Sequence, residues 1–205
     1  MKVVVGNYYH EIKIRGSTFR TYIHGINNLE DLKRLRADFQ SKYSDATHIC
    51  YGYRLCDTNR VDLFGEPEII EYCIDDGEPS GTAGRPILNM LRKYSLINSS
   101  IFVIRYFGGI KLGIPGLIEA YRESSEKIIR KSKIEKWIFL KEISIIFNYQ
   151  YSKIIEKIIK ENSGRIIVGD YLDKIKLIIE IPYKNIAIFK KNITEKSMGT
   201  IKVIE

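Results

Sequence analysis

The 205-residue sequence has few of the residues that mark secreted, zinc-binding or membrane-spanning chains. Its three cysteines, Cys50, Cys56 and Cys73, are an odd number and lack the paired close spacings of a disulfide framework or a zinc ribbon. Nowhere do about eighteen apolar residues follow one another, and the N-terminus resembles no signal peptide. We therefore expect reduced cysteines, no metal, and a cytoplasmic chain that does not enter a membrane.

The composition indicates a folded chain with a positive charge that is spread out. Hydrophobic residues make up 44% of the sequence, enough for a core in one large or two small domains, which argues against disorder. The net charge of +8 favours polyanionic partners. Residues 137–205 hold 12 Lys/Arg against 8 Asp/Glu and the preceding residues hold 21 against 17, so each part carries +4. The charge therefore does not locate a binding face.

Periodic patterns predict mixed helices and strands in the first part of the chain. Asn28 is a good N-cap for an amphipathic helix that continues to Tyr43. Pro86 and Pro115 fit the first turns of two further helices. Strands are expected over residues 10–15, 17–23, 46–55, 69–74 and 101–107, the last too apolar for an exposed edge, and residues 57–67 read as a polar surface loop.

A charged segment, residues 131–136, is typical of a short connector, and the pattern restarts after it. We place a domain boundary here, which gives domains of residues 1–135 and 136–205. The second domain reads as strand 139–147, helix 151–161, strands 165–171 and 174–181, helix 183–191 and strand 200–204. This is the βαββαβ order of a ferredoxin-like sandwich, so the expected fold class is α+β.

Two glycine-rich stretches, residues 75–86 and 105–116, stand apart from generic α+β sequence. In the first, Asp75, Asp76 and Glu78 precede a loop that enters a helix. In the second, a buried strand ends in a loop that contains Lys111, and a helix opens after it. Backbone N–H groups at such a junction can bind an anion, and Lys111 and Arg105 add positive charge. The spacing matches neither a Walker A loop nor a dinucleotide fingerprint.

Each of these features also has a structural interpretation. The glycines in both loops can serve only to permit positive φ and close chain approach. His48 is expected on a strand beside the one that carries Arg105, where it could meet Asp76 and act in acid–base chemistry. A single histidine beside apolar strand residues is more often a hydrogen-bonded core or rim group, and we favour that interpretation. The sequence has no H-E-x-x-H and no nucleophile elbow, so it predicts no catalytic residue.

The same stretches, Asp75-Asp-Gly-Glu-Pro-Ser-Gly-Thr-Ala-Gly and Arg105-Tyr-Phe-Gly-Gly-Ile-Lys-Leu-Gly, closely resemble the signature of the IMPACT/YigZ family. Arg15-Gly-Ser-Thr-Phe19 and Asp45-Ala-Thr-His48 match weaker family positions. The resemblance covers roughly residues 8–131, and the segment after it looks like the small second domain of the bacterial YigZ branch. Ile114-Pro115-Gly116 departs from the small residues usual at that point.

This resemblance implies an N-terminal IMPACT-type α/β sandwich, similar to RNase PH and to domain IV of elongation factor G. It also implies a ferredoxin-like C-terminal domain similar to domain V of the same factor. Those relatives bind RNA or the ribosome, and in eukaryotic members the signature domain is tied to translation control through the amino-acid-starvation kinase pathway. For bacterial members it implies no settled biochemical activity.

Three hypotheses follow. The first is a non-catalytic protein that binds RNA, the ribosome or a translation factor through surface cations and tyrosines. The second is an enzyme or binding protein for a small phosphorylated ligand, in which an acidic side chain holds a divalent cation and Lys111 holds phosphate. The third is a protein-interaction module. We expect no resident cofactor, and the sequence leaves the oligomeric state open. The surface cations are Lys111, Arg105, Arg85 and Arg92, and the candidate ligand- or nucleic-acid-binding residues are Asp75, Asp76, Glu78, Ser80, Thr82, Arg85, Arg105, Gly108, Gly109, Lys111 and His48.

Overall fold

The computed structural model describes residues 1–63 and 67–204, and the chain forms two compact units. Residues 1–61 and 67–137 form the first unit, and the chain from Ile138 onward forms most of the second. Within the described ranges, the helices are too short or too polar to cross a membrane. Both units combine helices with antiparallel sheets, which is the α+β class expected from the sequence.

The first unit is built on a five-stranded antiparallel sheet with the order β2-β3-β6-β4-β5, and β1 pairs separately with β7. Its strands are β1 (Lys2–Val4), β2 (Asn7–Ile14), β3 (Ser17–Gly25), β4 (His48–Val61), β5 (Pro67–Ile74), β6 (Ser99–Tyr106) and β7 (Ile134–Lys136). Its helices are α1 (Leu29–Lys42), α2 (Gly84–Lys93) and α3 (Gly113–Lys131). The side chain of Asn28 caps α1 by accepting a hydrogen bond from the backbone N–H of Asp31, which confirms the predicted N-cap.

Helices cover both faces of this sheet. Successive side chains of a strand point to opposite faces, so β6 contributes to two separate clusters. Ile101 and Val103 pack in the cluster that includes the apolar residues of α2 and α3, while Phe102 and Ile104 pack with those of α1. The apolar strand therefore lies at the centre of the sheet, as its composition predicted.

The second unit has the predicted βαββαβ order. Its elements are β8 (Leu140–Phe147), α4 (Ser152–Glu161), β9 (Arg165–Tyr171), β10 (Ile175–Pro182), α5 (Ile186–Ser197) and β11 (Lys202–Ile204). The strands are antiparallel in the order β11-β8-β10-β9, which is the ferredoxin-like topology. Ile145, Leu177 and Ile179 on one sheet face pack with Ile158 of α4 and Phe189 of α5, so the apolar stripes form the core.

Two expectations about connections were wrong. Residues 57–67 were expected to be a surface loop, but β4 continues to Val61 and pairs there with Pro67 at the start of β5, with an irregular register. Polar composition hid a hairpin arm in which Thr58, Arg60 and Val61 are exposed; residues 64–66 lie outside the described residues. Residues 131–136 were expected to be a connector, but their last three form β7, which pairs with the N-terminal strand β1. That pairing is non-local, and a local charge pattern cannot reveal it.

Candidate functional site

The structure brings His48, Arg105 and Asp76 together. His48 and Arg105 are direct partners across β4 and β6. The Nδ1 atom of His48 lies 2.8 Å from the backbone oxygen of Asp76, and because a carbonyl can only accept, Nδ1 is the donor of this hydrogen bond. The Asp76 carboxylate accepts the backbone N–H of Ile49 at 2.6 Å. These two hydrogen bonds hold the acidic loop against the first residues of β4.

A buried ion pair lies behind His48. Oε1 of Glu78 accepts hydrogen bonds from Nη1 of Arg105 at 2.5 Å and from the hydroxyl of Tyr121 at 2.8 Å. The other oxygen, Oε2, lies 3.9 Å from Nε2 of His48. The side chains of Glu78 and Arg105 are only 3% and 6% exposed, so the carboxylate and the guanidinium compensate each other away from water.

Tyr121 and Cys50 complete this cluster. The thiol of Cys50 lies 3.4 Å from the Tyr121 hydroxyl and 2.9 Å from the backbone oxygen of Asp75. Burial raises the pKa of the Cys50 thiol far above its ordinary value, and burial together with Cys50 and Glu78 does the same to the pKa of the Tyr121 hydroxyl. Both groups therefore stay protonated and act as hydrogen-bond donors, so neither is an activated nucleophile.

The second loop is anchored by its first glycine. The hydroxyl of Ser17 accepts the backbone N–H of Gly108 at 3.2 Å, and Nη2 of Arg105 lies 3.4 Å from the same hydroxyl. A Cβ atom on Gly108 would lie 1.9 Å from the carbonyl carbon of Gly16, so the two backbones touch and only glycine fits. At this position the structural interpretation of the glycines is sufficient.

Asp75 serves the first loop in the same way. Its Oδ1 accepts the backbone N–H groups of Ala83 and Gly84 at 3.0 and 2.8 Å, and its Oδ2 accepts that of Gly81 at 2.8 Å. They include amides at the start of α2, which at a helix N-terminus can otherwise bind an external anion. The carboxylate of the chain itself takes that place.

The remaining candidates of the first loop divide between interior and surface. Thr82 is buried, and its hydroxyl donates a hydrogen bond to the backbone oxygen of Pro79 at 2.7 Å. Ser80 and Arg85 are exposed. Of the remaining candidates, Ser80 and Arg85 are therefore the ones that a ligand in solution could reach.

The predicted cationic surface is smaller than the sequence indicated. Lys111 is exposed, and so is Gly109, which has a φ of +85° and open space where a Cβ would stand. Arg105 is buried in an ion pair with Glu78, so its guanidinium is not part of the surface. Arg92 donates to Glu71 through both Nε and Nη2. Because sequence alone does not show these two ion pairs, it overestimated the number of cations available to phosphate.

Several apolar side chains near Lys111 in the sequence are exposed with it, although its neighbour Leu112 is buried. Phe107 is 46% exposed, and the large side chains of Ile110, Ile114 and Ile118 are also exposed. Ile114 and Ile118 are four residues apart on α3, so they share one side of the helix. We call Phe107, Ile110, Lys111, Ile114 and Ile118 the α3 surface. The tyrosines Tyr9 and Tyr72, which are also exposed, lie instead on the two edge strands of the sheet.

Sequence reasoning missed part of this arrangement. Ser17 and Tyr121 belong to the buried cluster, but the contacts that place them there are long-range, since Ser17 lies 88 positions from Arg105 and Tyr121 lies 43 positions from Glu78. The sequence predicted Phe107 only as the last residue of the strand over residues 101–107. An aromatic residue directly before two glycines was the signal that could have drawn attention to it.

The carboxylates of the first loop do not converge on a common point for a cation. Asp75 accepts three amides, Asp76 accepts one, and Glu78 faces Arg105 and Tyr121. In residues 1–63 and 67–204, we find no group of three or more His, Cys, Asp or Glu side chains arranged to hold a metal ion. The buried cluster is therefore suited to fixing the two loops in place.

Comparison with known proteins places this site in a family. Residues 15–129 match the model of the Impact N-terminal domain, and this range includes both loops and the buried cluster. The chain is 29% identical to an IMPACT family member of Haemophilus influenzae over 94% of this chain and 90% of that protein. It is 27% identical to the IMPACT family member YigZ of Escherichia coli, covering 94% of this chain and 91% of that one. The crystal structure of a hypothetical protein, 26% identical, aligns with a TM-score of 0.64 over 99% of this chain and 95% of its own. The family model covers more than half of the chain, and the chain therefore belongs to the IMPACT family.

Proposed function

We propose that this protein is a cytoplasmic regulatory protein of translation that binds RNA, free or in the ribosome, through the α3 surface. The observation that carries the proposal is the exposure of Lys111 among exposed aromatic and aliphatic side chains on an anchored loop. A cation can hold a phosphate, and an aromatic ring can stack on a base. These are the two contacts that RNA-binding surfaces combine.

The family supports a link to translation. The sequence resemblance implied that eukaryotic members act in translation control, and this chain shares their signature domain. The second unit adds a ferredoxin-like sheet, an architecture that many RNA-binding proteins use. Fold analogy alone does not specify a ligand, so the proposal depends on the α3 surface.

The rigidity of the site supports binding by a preformed surface. Gly108 packs against the β2–β3 turn, and the Phe107 backbone N–H donates to Oγ1 of Thr47 at 3.0 Å. The loop that carries Lys111 therefore starts from a fixed point. A surface that needs little ordering on binding loses less free energy to conformational entropy.

A small phosphorylated ligand is less well supported. That hypothesis needs a carboxylate of Asp75, Asp76 or Glu78 to hold a cation, and each already accepts hydrogen bonds within the protein. A divalent ion would have to displace those donors. The geometry therefore favours the RNA-binding proposal.

Pelleting with purified ribosomes and titration with RNA would test the proposal. We expect the protein to sediment with ribosomes or to bind RNA at about 50 mM salt, and the affinity to fall as salt rises to about 200 mM, because binding releases counterions from phosphates. Failure to bind either ribosomes or RNA at low salt would refute it. Affinity that does not change with salt would show that phosphate contacts do not hold the complex.

A further inference from the structure

We infer that the RNA held at the α3 surface is single-stranded and that Phe107 is the platform on which an unpaired base stacks. This inference rests on the proposed function and names the class of RNA. Phe107 is the aromatic residue of the α3 surface, and almost half of its side chain is exposed.

The backbone under Phe107 is fixed on two sides. Its own N–H donates to Oγ1 of Thr47 at 3.0 Å, and the next N–H, that of Gly108, donates to the buried hydroxyl of Ser17 at 3.2 Å. Contact between the Gly108 and Gly16 backbones fixes the chain further. An aromatic side chain on such a support is presented to a ligand with little loss of entropy.

Arg105 positions the ring itself. Its guanidinium carbon lies 5.6 Å from the centroid of the Phe107 ring, within the range of a cation–π interaction. Glu78 accepts a hydrogen bond from the guanidinium, and Arg105 is 5% exposed, so the cation is part of the interior. We therefore assign Arg105 as a positioning residue for Phe107 and not as a phosphate ligand. Its Nε is buried without a hydrogen-bond partner among the described residues, as expected if the guanidinium also serves neighbouring rings.

The kinds of side chain on the α3 surface favour a single strand over a duplex. In duplex RNA the bases are stacked on one another, and proteins recognise it mainly through 2′-hydroxyl and phosphate contacts. The α3 surface offers Lys111 for phosphate, together with the aliphatic side chains of Ile110 and Ile114. Aromatic and apolar side chains next to a cation suit splayed bases on a strand whose backbone passes the lysine.

The test compares a uridine-rich single-stranded RNA with the same strand paired to its complement. We expect tighter binding to the single strand, and we expect Phe107→Ala to weaken it about 5- to 150-fold, the range seen when a stacked aromatic is removed. Tyr72→Ala is the matched control, since Tyr72 is 52% exposed on the edge strand β5, and it should bind as the wild type does. Phe107→Trp in a Trp137→Phe background keeps a ring and supplies the only indole, whose fluorescence should be quenched as a base stacks.

The outcomes separate this inference from the proposed function. Equal or tighter binding of the duplex, or normal binding by Phe107→Ala together with unquenched Phe107→Trp, would overturn the inference while leaving RNA binding intact. The inference is supported if Phe107→Ala loses RNA binding while Phe107→Trp still binds the single strand and its tryptophan fluorescence is quenched. If the folded wild type binds neither of these RNAs, the inference fails; if it also does not sediment with ribosomes, the proposed function fails with it, and a protein partner becomes the occupant to seek.

Discussion

Glu78 and Arg105 form a hydrogen-bonded ion pair of 2.5 Å in the interior of the first unit, and the two glycine-rich loops meet through it. Glu78 comes from the acidic loop, and Arg105 lies at the end of β6, just before the loop that leads to α3. The sequence suggested that one loop is acidic and the other basic so that both could face a ligand. In the structure, these two opposite charges neutralise each other and connect the loops.

Removal of one charge of this pair should destabilise the protein strongly. We expect Glu78→Gln to lower the free energy of unfolding by about 3–5 kcal/mol, because a buried guanidinium is left without its countercharge. Tyr121→Phe, which removes a neutral hydroxyl that donates to Glu78 and contacts Cys50, should lower it by about 1–3 kcal/mol. Urea unfolding measures both. If Glu78→Gln proves no more costly than Tyr121→Phe, the pair is not the link described here.

Neighbouring glycines in the second loop should respond differently to alanine. Gly108→Ala would place a Cβ against the backbone of Gly16. We therefore expect this variant to lose well over about 1 kcal/mol of its free energy of unfolding, or not to fold. Gly109→Ala meets open space and should cost only the strain of a positive φ, about 1–2 kcal/mol. Thermal unfolding of the two variants side by side makes the comparison. Equal effects would mean that the loop does not pack on the β2–β3 turn.

The carboxylate of Glu71 should make stability depend on pH. Burial pushes its pKa up, but hydrogen bonds from Arg92 and Arg54 outweigh burial and leave the pKa below the ordinary 4.5. A depressed pKa means that the carboxylate stabilises the fold above about pH 4.5 and that this contribution is lost as pH falls through the lower folded pKa. The free energy of unfolding of Glu71→Gln should therefore fall furthest below that of the wild type near pH 7. This gap should shrink toward about pH 3.

Melting curves across this pH range would measure the difference. Glu161→Gln is the control, because its ion pair with Lys157 is 3.8 Å long and exposed, and such pairs contribute little. A difference between Glu71→Gln and the wild type that stays constant from pH 7 to about pH 3 would contradict the assignment.

The three thiols should react with an alkylating reagent in the order of their exposure. Cys50 is fully buried and Cys56 nearly so, while Cys73 is partly exposed. Burial also raises the pKa of the Cys73 thiol, so even this residue should react slowly at neutral pH. Peptide mass spectrometry after brief alkylation of the native protein should find the label on Cys73 first. Rapid labelling of Cys50 would show that the cluster around Tyr121 is open in solution.

Much of the fold follows from local pattern in the sequence. The N-cap at Asn28, the central strand through Ile101 and Val103 and the βαββαβ order of the second unit were all predicted, because helical and strand periodicities are local signals. The pairing of β7 with β1 was not predicted, since it joins residues more than a hundred positions apart. Charged residues at an exposed sheet edge look the same as a linker.

The candidate site shows the same division. His48, Asp76 and Arg105 were expected to meet because strand alternation places them, and the structure pairs His48 with Arg105 across two strands. Whether a charge is buried depends on partners elsewhere in the chain, so the sequence could not show that Arg105 forms a buried ion pair with Glu78. For the same reason it assigned phosphate binding to a cation that the fold keeps inside.

The most direct measurement is RNA affinity of Lys111→Ala beside Lys33→Ala, each checked for an unchanged melting temperature. Both substitutions remove one exposed lysine, but Lys33 lies on α1, across the sheet from α3. We expect Lys111→Ala to weaken binding to a single-stranded RNA and to reduce the slope of log affinity against log salt by about 0.7, the value for one lost phosphate contact, while Lys33→Ala leaves both unchanged. Equal affinities and slopes for the two variants would contradict the claim that the α3 surface binds RNA.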